Sequence, residues 1–320
     1  MTKKFFVTLS GCEESPPYKN RTALFVISVA FFYAVWYTLS VVDFESVLIK
    51  HKFKYKKAFG QNFIFDDDIL DEIAREGGAD GATVVEIGAG AGSLTRALSK
   101  RAARVCSFEI DETLFPILDE TLSGCDNVQL FSNDVTQIGI DTVDMLIGEP
   151  YIVIANLPYY ITTPLIFLFL TSTQCGSITC LVQKEVAERI CAENGSDFGA
   201  LSACVQSVGV PRIIRTVKSW DFYPQPDVDS ALIRIDRREG VAYSEKLYAF
   251  IKLCFIQKSK TLVNNLSSSG INKNDVTAAL TKLGFSASAR AEELGAENIR
   301  SLGILLGKVP AEPETADDRR

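Results

Sequence analysis

Between residues 66 and 183 the chain alternates short, mainly apolar runs with stretches in which apolar positions return every three or four residues. The runs at 83–87, 105–110, 128–132, 151–155 and 178–183 are five or six residues long, the length of a buried strand. Between them lie helical patterns. Asp66 stands where an N-cap is expected, Asp67 and Asp68 suit the first turn, Ile69, Leu70 and Ile73 share a face, and Gly77-Gly78 ends the helix. Another helix is expected over about 163–172. Strands separated by helices predict an α/β fold with a parallel, doubly wound sheet and ligands at the carboxyl ends of the strands. A further strand is expected at 231–235, after the stiff loop 222–230 with Pro224 and Pro226.

From Tyr243 the period becomes helical throughout. Leu247, Phe250, Ile251 and Cys254 form one stripe, Val276, Leu280 and Leu283 a second that Gly284 stops, and Ile299, Leu302 and Leu305 a third. The chain therefore divides into a hydrophobic N-terminal extension (1–50), an α/β domain (51–238), a small helical domain (239–309) and a Pro/Glu/Asp-rich tail (310–320) expected to be disordered. No internal repeat is present. Residues 22–42 carry no charge over 21 positions, enough to span a membrane. Two readings of the extension stand: a membrane anchor, or a start codon placed upstream of the natural one. A peptide from residues 22–42 in the native protein would eliminate the second.

Net charge is −7, so any contact with nucleic acid must come from local basic patches such as residues 50–57, where Lys alternates with Phe53 and Tyr55. That segment reads either as a solvated tail or as a phosphate-binding arm. The only histidine is His51, in a basic segment, which argues against His-based triads, proton shuttles and His-rich metal sites. The eight cysteines form no C-x-x-C pair, and most lie within apolar runs. Their distribution suits a reduced, metal-free cytoplasmic protein.

Chemistry concentrates at the strand ends. Gly88-Ala89-Gly90-Ala91-Gly92-Ser93 follows the first strand, giving G-x-G-x-G where a dinucleotide fingerprint requires G-x-G-x-x-G. With Glu86 just before the loop, a phosphate-free, cationic cofactor such as S-adenosylmethionine fits better than a pyrophosphate. Glu109 ends the second strand 21 residues after Gly88, where such folds place a carboxylate on the ribose hydroxyls. Asp134 ends the third and is suited to accept from an adenine amino group. The fourth delivers Asn156-Leu157-Pro158-Tyr159. An amide carbonyl, proline-stiffened backbone carbonyls and a flat ring together suit a planar substrate with an exocyclic amine: the carbonyls accept its N–H bonds and the ring stacks on the base. Phe222 is either a second face against that base or a packed loop aromatic.

Residues 56 to about 300 resemble the bacterial small-subunit ribosomal RNA adenine dimethyltransferase family, which is similar to the eukaryotic dimethyladenosine transferases. The resemblance is carried by Phe59-Gly60-Gln61-Asn62-Phe63, Glu86 through Thr95, Glu109-Ile110-Asp111, Asn156-Leu157-Pro158-Tyr159-Tyr160-Ile161-Thr162-Thr163-Pro164, Gln183-Lys184-Glu185-Val186 and Phe222 through Ala231. It implies a Rossmann-like S-adenosylmethionine-dependent methyltransferase sheet with a helical, rRNA-binding C-terminal domain. The implied activity is N6,N6-dimethylation of two adjacent adenosines in a hairpin near the 3′ end of small-subunit (16S) rRNA. The implied partner is the immature small subunit, and a monomer is expected. By resemblance, Asn62 and Ile64 line the cofactor pocket with Gly88 and Gly90, Gly88 approaching the methionine part. Glu109 holds the ribose and Asp134 the adenine. Asn156 touches both cofactor and target amine beside Leu157 and Pro158, and Tyr159 and Phe222 stack on the target.

Two departures stand out. The family usually carries a doubly basic pair before the position of Lys260-Thr261, and here Ser259 fills one slot, which predicts one phosphate contact fewer. The hydrophobic N-terminal extension is foreign to the family. The rival readings are a sister enzyme that methylates large-subunit rRNA, a non-catalytic ribosome-assembly factor, and a nucleotide-dependent oxidoreductase. Leu157 and the Thr162-Thr163-Pro164 continuation favour the small-subunit enzyme.

Overall fold

The computed structural model describes residues 42–56, 59–239, 241 and 243–311. The expectations for residues 1–41 and for the tail beyond residue 311 lie outside these residues. Among the described residues no helix is long and apolar enough to cross a membrane.

Helix α1 (Phe44–Lys50) leads into α2 (Asp67–Gly77), and the sheet unit then runs β1 (Thr83–Ile87), α3 (Ser93–Ser99), β2 (Arg104–Phe108), α4 (Phe115–Thr121) and β3 (Val128–Phe131). It continues with α5 (Val135–Ile138), α6 (Ile140–Ile147), β4 (Tyr151–Asn156), α7 (Thr162–Thr171), β5 (Cys175–Gln183), α8 (Lys184–Cys191), α9 (Ala200–Val208), β6 (Gly209–Val217) and β7 (Ser230–Arg237). Asp66 caps α2 as expected: its side chain accepts from the Ile69 N–H at 2.9 Å, and Gly78 closes the helix with φ +81°.

The strands form one seven-stranded sheet in the order β3-β2-β1-β4-β5-β7-β6. The first five are parallel, and β7 is antiparallel to both β5 and β6. The parallel expectation holds for the five strands it was drawn from, and the strand at 231–235, to which no direction was assigned, runs antiparallel. The 218–229 loop joins β6 directly to β7, and strands joined without a crossover must run antiparallel. Strand β6 was invisible to the sequence reading because it is an edge strand with Arg212 and Arg215 among its residues, not a continuous apolar run.

Strand residues divide by parity. Val84, Val105, Ile154, Leu181 and Leu232 pack with α2 and α3 on one face, whereas Val85, Cys106, Val153, Cys180 and Ile233 pack with α6, α7 and α8 on the other. Both faces are therefore covered, as a mainly parallel sheet requires. Helices α10 (Glu245–Cys254), α11 (Leu262–Ser268), α12 (Lys273–Lys282) and α13 (Gly295–Leu305) enclose a separate core, which Phe198 and the α9 residues Ala203 and Cys204 join. Ile299 and Leu302 are buried in it, but Leu305 at the helix end is exposed.

The amino-terminal edge of this body is also packed. Phe44, Val47 and Leu48 of α1 are buried, and Phe44 stacks on Phe65 at 5.8 Å between ring centroids. Lys50 and His51 both pair with Glu120 of α4, at 2.8 and 2.9 Å. Residues 44–50, grouped with the extension on sequence alone, thus belong to the folded body. His51 has a structural partner.

Glu86 sits in the middle of the sheet unit and is fully buried. Its Oε2 accepts from Thr95 Oγ1 of α3 and Ser107 Oγ of β2, each at 2.6 Å, so one carboxyl ties three elements together. Burial pushes its pKa up from 4.5 to about 8 against the pull of those two hydroxyls. The folded form therefore holds this proton more tightly than the unfolded chain does. The resulting stability is fully present below pH 4.5 and is lost as pH rises through about 8. Thermal unfolding of Glu86→Gln across pH 5 to 8 is expected to show a flatter profile than the wild type, with the two converging at the acid end. Leu98→Ala, a truncation at a side chain with no solvent exposure, is expected to cost about 2–5 kcal/mol in denaturant unfolding with an unchanged slope.

Candidate active site

One cavity of about 370 Å³ lies along the carboxyl ends of β1, β2, β3 and β4. Its wall contains Asn62, Ile64, Gly88, Gly90, Glu109, Asp134, Asn156, Leu157, Pro158 and Tyr159, which the sequence reading singled out, together with Phe59, Phe63 and Tyr160. Phe222 is not brought to this wall. It is 4% exposed and packs in the core with Ile64, Ile69 and Leu232. The alternative of a packed loop aromatic describes its position; its neighbours Trp220 and Tyr223 are the exposed rings of that loop.

The glycine turn after β1 is built for close approach. Gly88 has φ +81°, and a Cβ there would meet no protein atom within 4 Å, so any side chain would project into open space at the cavity. Gly90 has φ +58°, and a Cβ would come within 2.8 Å of the Phe63 ring. The first glycine keeps space for a ligand, and the second lets residues 59–64 pack down on the turn.

Glu109 is 6% exposed and closes the turn from β2. Its Oε2 accepts from the Gly90 N–H, and its Oε1 accepts from the Ile110 and Asp111 N–H groups, all at 2.8 Å. Burial raises its pKa despite those three donors. Asp134 caps α5, accepting from Thr136 N at 2.9 Å and Thr136 Oγ1 at 2.6 Å. Glu86, in contrast, does not line the cavity. The charge argument made for it on sequence belongs instead to Glu109 and Asp134.

Among the described residues that line the cavity there is no lysine or arginine. A pyrophosphate would find no counter-charge here. Two carboxylates, an unfilled Gly88 and apolar walls from Ile64, Ile73 and Leu94 instead suit a flat heterocycle with a ribose diol and a cationic end.

At β4 the Asn156 Nδ2 donates to the Asn62 carbonyl at 2.8 Å, which turns Oδ1 away from that bond and leaves it as an acceptor. The Pro158 carbonyl accepts from Ile161 N and Thr162 Oγ1, both at 3.1 Å, so its lone pairs are engaged in starting α7. That corrects its expected part in holding an amine. The Tyr159 hydroxyl shares a 2.6 Å hydrogen bond with Ser230 Oγ, which fixes one end of the ring, and burial raises its pKa. Of the basic segment, Lys56 pairs with Asp111 at 2.6 Å. Asp111 and Gln61 stood in the matched motifs without an assigned role; the local signal was Asp111-Glu112-Thr113, an N-cap pattern at the end of β2.

Comparison with known proteins agrees with this geometry. The family model described as ribosomal RNA adenine dimethylase matches residues 52–306. The chain is 38% identical over 279 residues to a protein of Geobacillus thermodenitrificans named ribosomal RNA small subunit methyltransferase A, spanning 82% of this chain and 94% of that one. It is 39% identical to the Bacillus licheniformis protein of the same name, spanning 83% and 96%. Among solved structures, the 23S rRNA methyltransferase ErmE superimposes with a TM-score of 0.63 at 26% identity, covering 77% of this chain and 100% of that one. A dimethyladenosine transferase from Plasmodium falciparum shares the fold at a TM-score of 0.65 and 21% identity, covering 77% and 98%. The match across most of its length, with the glycine turn, Glu109 and the Asn156–Tyr159 turn all facing one cavity, shows that this chain belongs to the ribosomal RNA adenine dimethylase family.

Proposed function

We propose that this protein uses S-adenosylmethionine to dimethylate N6 of two adjacent adenosines in the 3′-terminal hairpin of 16S rRNA, acting on the immature small subunit in the cytoplasm. The observation that carries the reading is the Asn156–Tyr159 turn opening into the same cavity as Glu109, Asp134 and the glycine turn. Relatives at 38–39% identity are named small subunit methyltransferases, which supports the choice of subunit. The seven described cysteines are all free, which fits a reducing compartment.

The bound cofactor supplies a sulfonium methyl already activated for transfer, so the protein's task is alignment rather than acid–base chemistry. Glu109 accepts from the ribose hydroxyls with the lone pairs its backbone donors leave free, and Asp134 accepts from the adenine amino group. Asn156 Oδ1 accepts one hydrogen of the target amine. With the Pro158 carbonyl engaged, the Leu157 carbonyl takes the second. Holding both hydrogens turns the nitrogen lone pair out of the ring plane. Tyr159, braced by Ser230, presents its ring to the extruded base, whose unstacking costs a few kcal/mol. Each adenosine needs two methyl groups. A site that grips the amine through hydrogen-bond acceptors alone must accommodate the loss of one donor after the first transfer.

A second reading, methylation of the large subunit, has the ErmE likeness in its favour. Undermethylated small subunits and large subunits, incubated in parallel with labelled S-adenosylmethionine, separate the two. Dimethyladenosine is expected in small-subunit rRNA by mass spectrometry, and label confined to the large subunit would overturn the proposal. Asn156→Ala is expected to lower transfer by at least about a hundredfold while partial cofactor binding persists in a calorimetric titration.

A further inference from the structure

Residues 59–64 cross the mouth of the cavity and supply six of its lining residues. On the β4 side, the Asn62 carbonyl holds Asn156. One residue on, the Phe63 ring lies over Gly90, and Phe63 exchanges backbone hydrogen bonds with Tyr223, each 2.8 Å. On the β2 side, one residue before Asn62, the attachment is one buried carboxylate. Asp111 is 2% exposed, its Oδ1 pairs with Lys56 Nζ at 2.6 Å, and its Oδ2 accepts from Gln61 Nε2 at 2.8 Å. Lys56 and Gln61 are themselves joined, the Lys56 N–H donating to Gln61 Oε1 at 2.8 Å. Since β1 lies between β2 and β4 in the sheet, the crossing spans the glycine turn and is fastened on either side of it.

Asp111 does not line the cavity, and the transfer chemistry has no use for it. Yet it is paired with an acid that does line it, because the Asp111 N–H donates to Glu109 Oε1. The charge is a costly one to bury. Burial pushes the carboxyl up, but hydrogen bonds from Lys56, Thr113 and Gln61 outweigh it and hold the group below the usual carboxylate range. Cutting the Asp111 contacts would free residues 59–61 from the β2 edge while leaving the sheet, Glu109 and Asn156 in place.

We propose that Asp111 is a positioning residue: by fastening Lys56 and Gln61 it holds residues 59–64 across the cavity and so sets the affinity for the S-adenosyl cofactor. The proposal rests on the reading of that cavity given above, and the test separates the two. S-adenosylmethionine and S-adenosylhomocysteine are titrated calorimetrically into the full-length wild type, Asp111→Asn, Lys56→Met and Lys56→Arg. The Asn and Met variants are expected to bind both compounds about tenfold more weakly, with Lys56→Arg close to wild type. The loss is expected in the KM for cofactor, with turnover at saturating cofactor falling less than threefold. Without cofactor, backbone amides of residues 59–64 are expected to exchange faster with deuterium in the Asn and Met variants, while those of β1 and β4 keep wild-type protection. Lys56 is partly exposed, so its substitution decides the matter if Asp111→Asn fails to fold. Wild-type affinity and exchange in both variants would overturn the fastening alone. A wild type that binds neither compound would overturn the reading of the cavity and this proposal with it.

Discussion

The hydrogen bond from Asn156 Nδ2 to the Asn62 carbonyl joins residues 94 positions apart and decides which end of the Asn156 amide faces the cavity. An amide carries a donor and an acceptor that are nearly equal in shape, and only a fixed partner can tell them apart. With the nitrogen committed to Asn62, the oxygen is left for an amine. Everything that places Asn62 therefore contributes to the chemistry: the Phe63–Tyr223 backbone pair, the ring of Phe63 on Gly90, and the Asp111 contacts to Lys56 and Gln61.

The two carboxylates below the glycine turn show how one element can serve opposite needs. Glu86 lies on β1 and Glu109 just past the end of the neighbouring parallel β2, and the Glu109 charge raises the proton affinity of Glu86 by less than burial does. Glu86 faces hydroxyl donors within the protein and acts as a tie between β1, β2 and α3. Glu109 receives three backbone N–H groups and stands at the cavity edge. Backbone donors cannot move without bending the turn, so Glu109 is held rigid, with lone pairs to spare.

Much of the fold was legible because strands covered on both faces read as largely apolar runs, and six of the seven, the five parallel ones and β7, did so. Strand β6 escaped because one of its sides faces solvent, and its polar residues broke the run. The site residues were legible for a different reason. Glycines, strand-end acids and the Asn156–Tyr159 turn each sit where a strand stops, so their place in the sheet follows from their place in the chain. Phe222 follows no such rule. It lies in a loop, and whether a loop aromatic faces a cavity or the core depends on residues distant in sequence, here Ile64, Ile69 and Leu232.

By itself the sequence determined the order of the parallel strands, the edge of the sheet that carries the chemistry and the candidate residues themselves. These follow from local periodicity and composition, which act within a few residues. Only the tertiary structure decided the antiparallel edge, the burial of Phe222 and of Glu86, the engagement of the Pro158 carbonyl, and the bridge from Asp111 through residues 59–64 to Asn156. Each depends on which distant backbone and side-chain groups meet once both faces of the sheet are covered, and pairings of that kind leave no period in the chain.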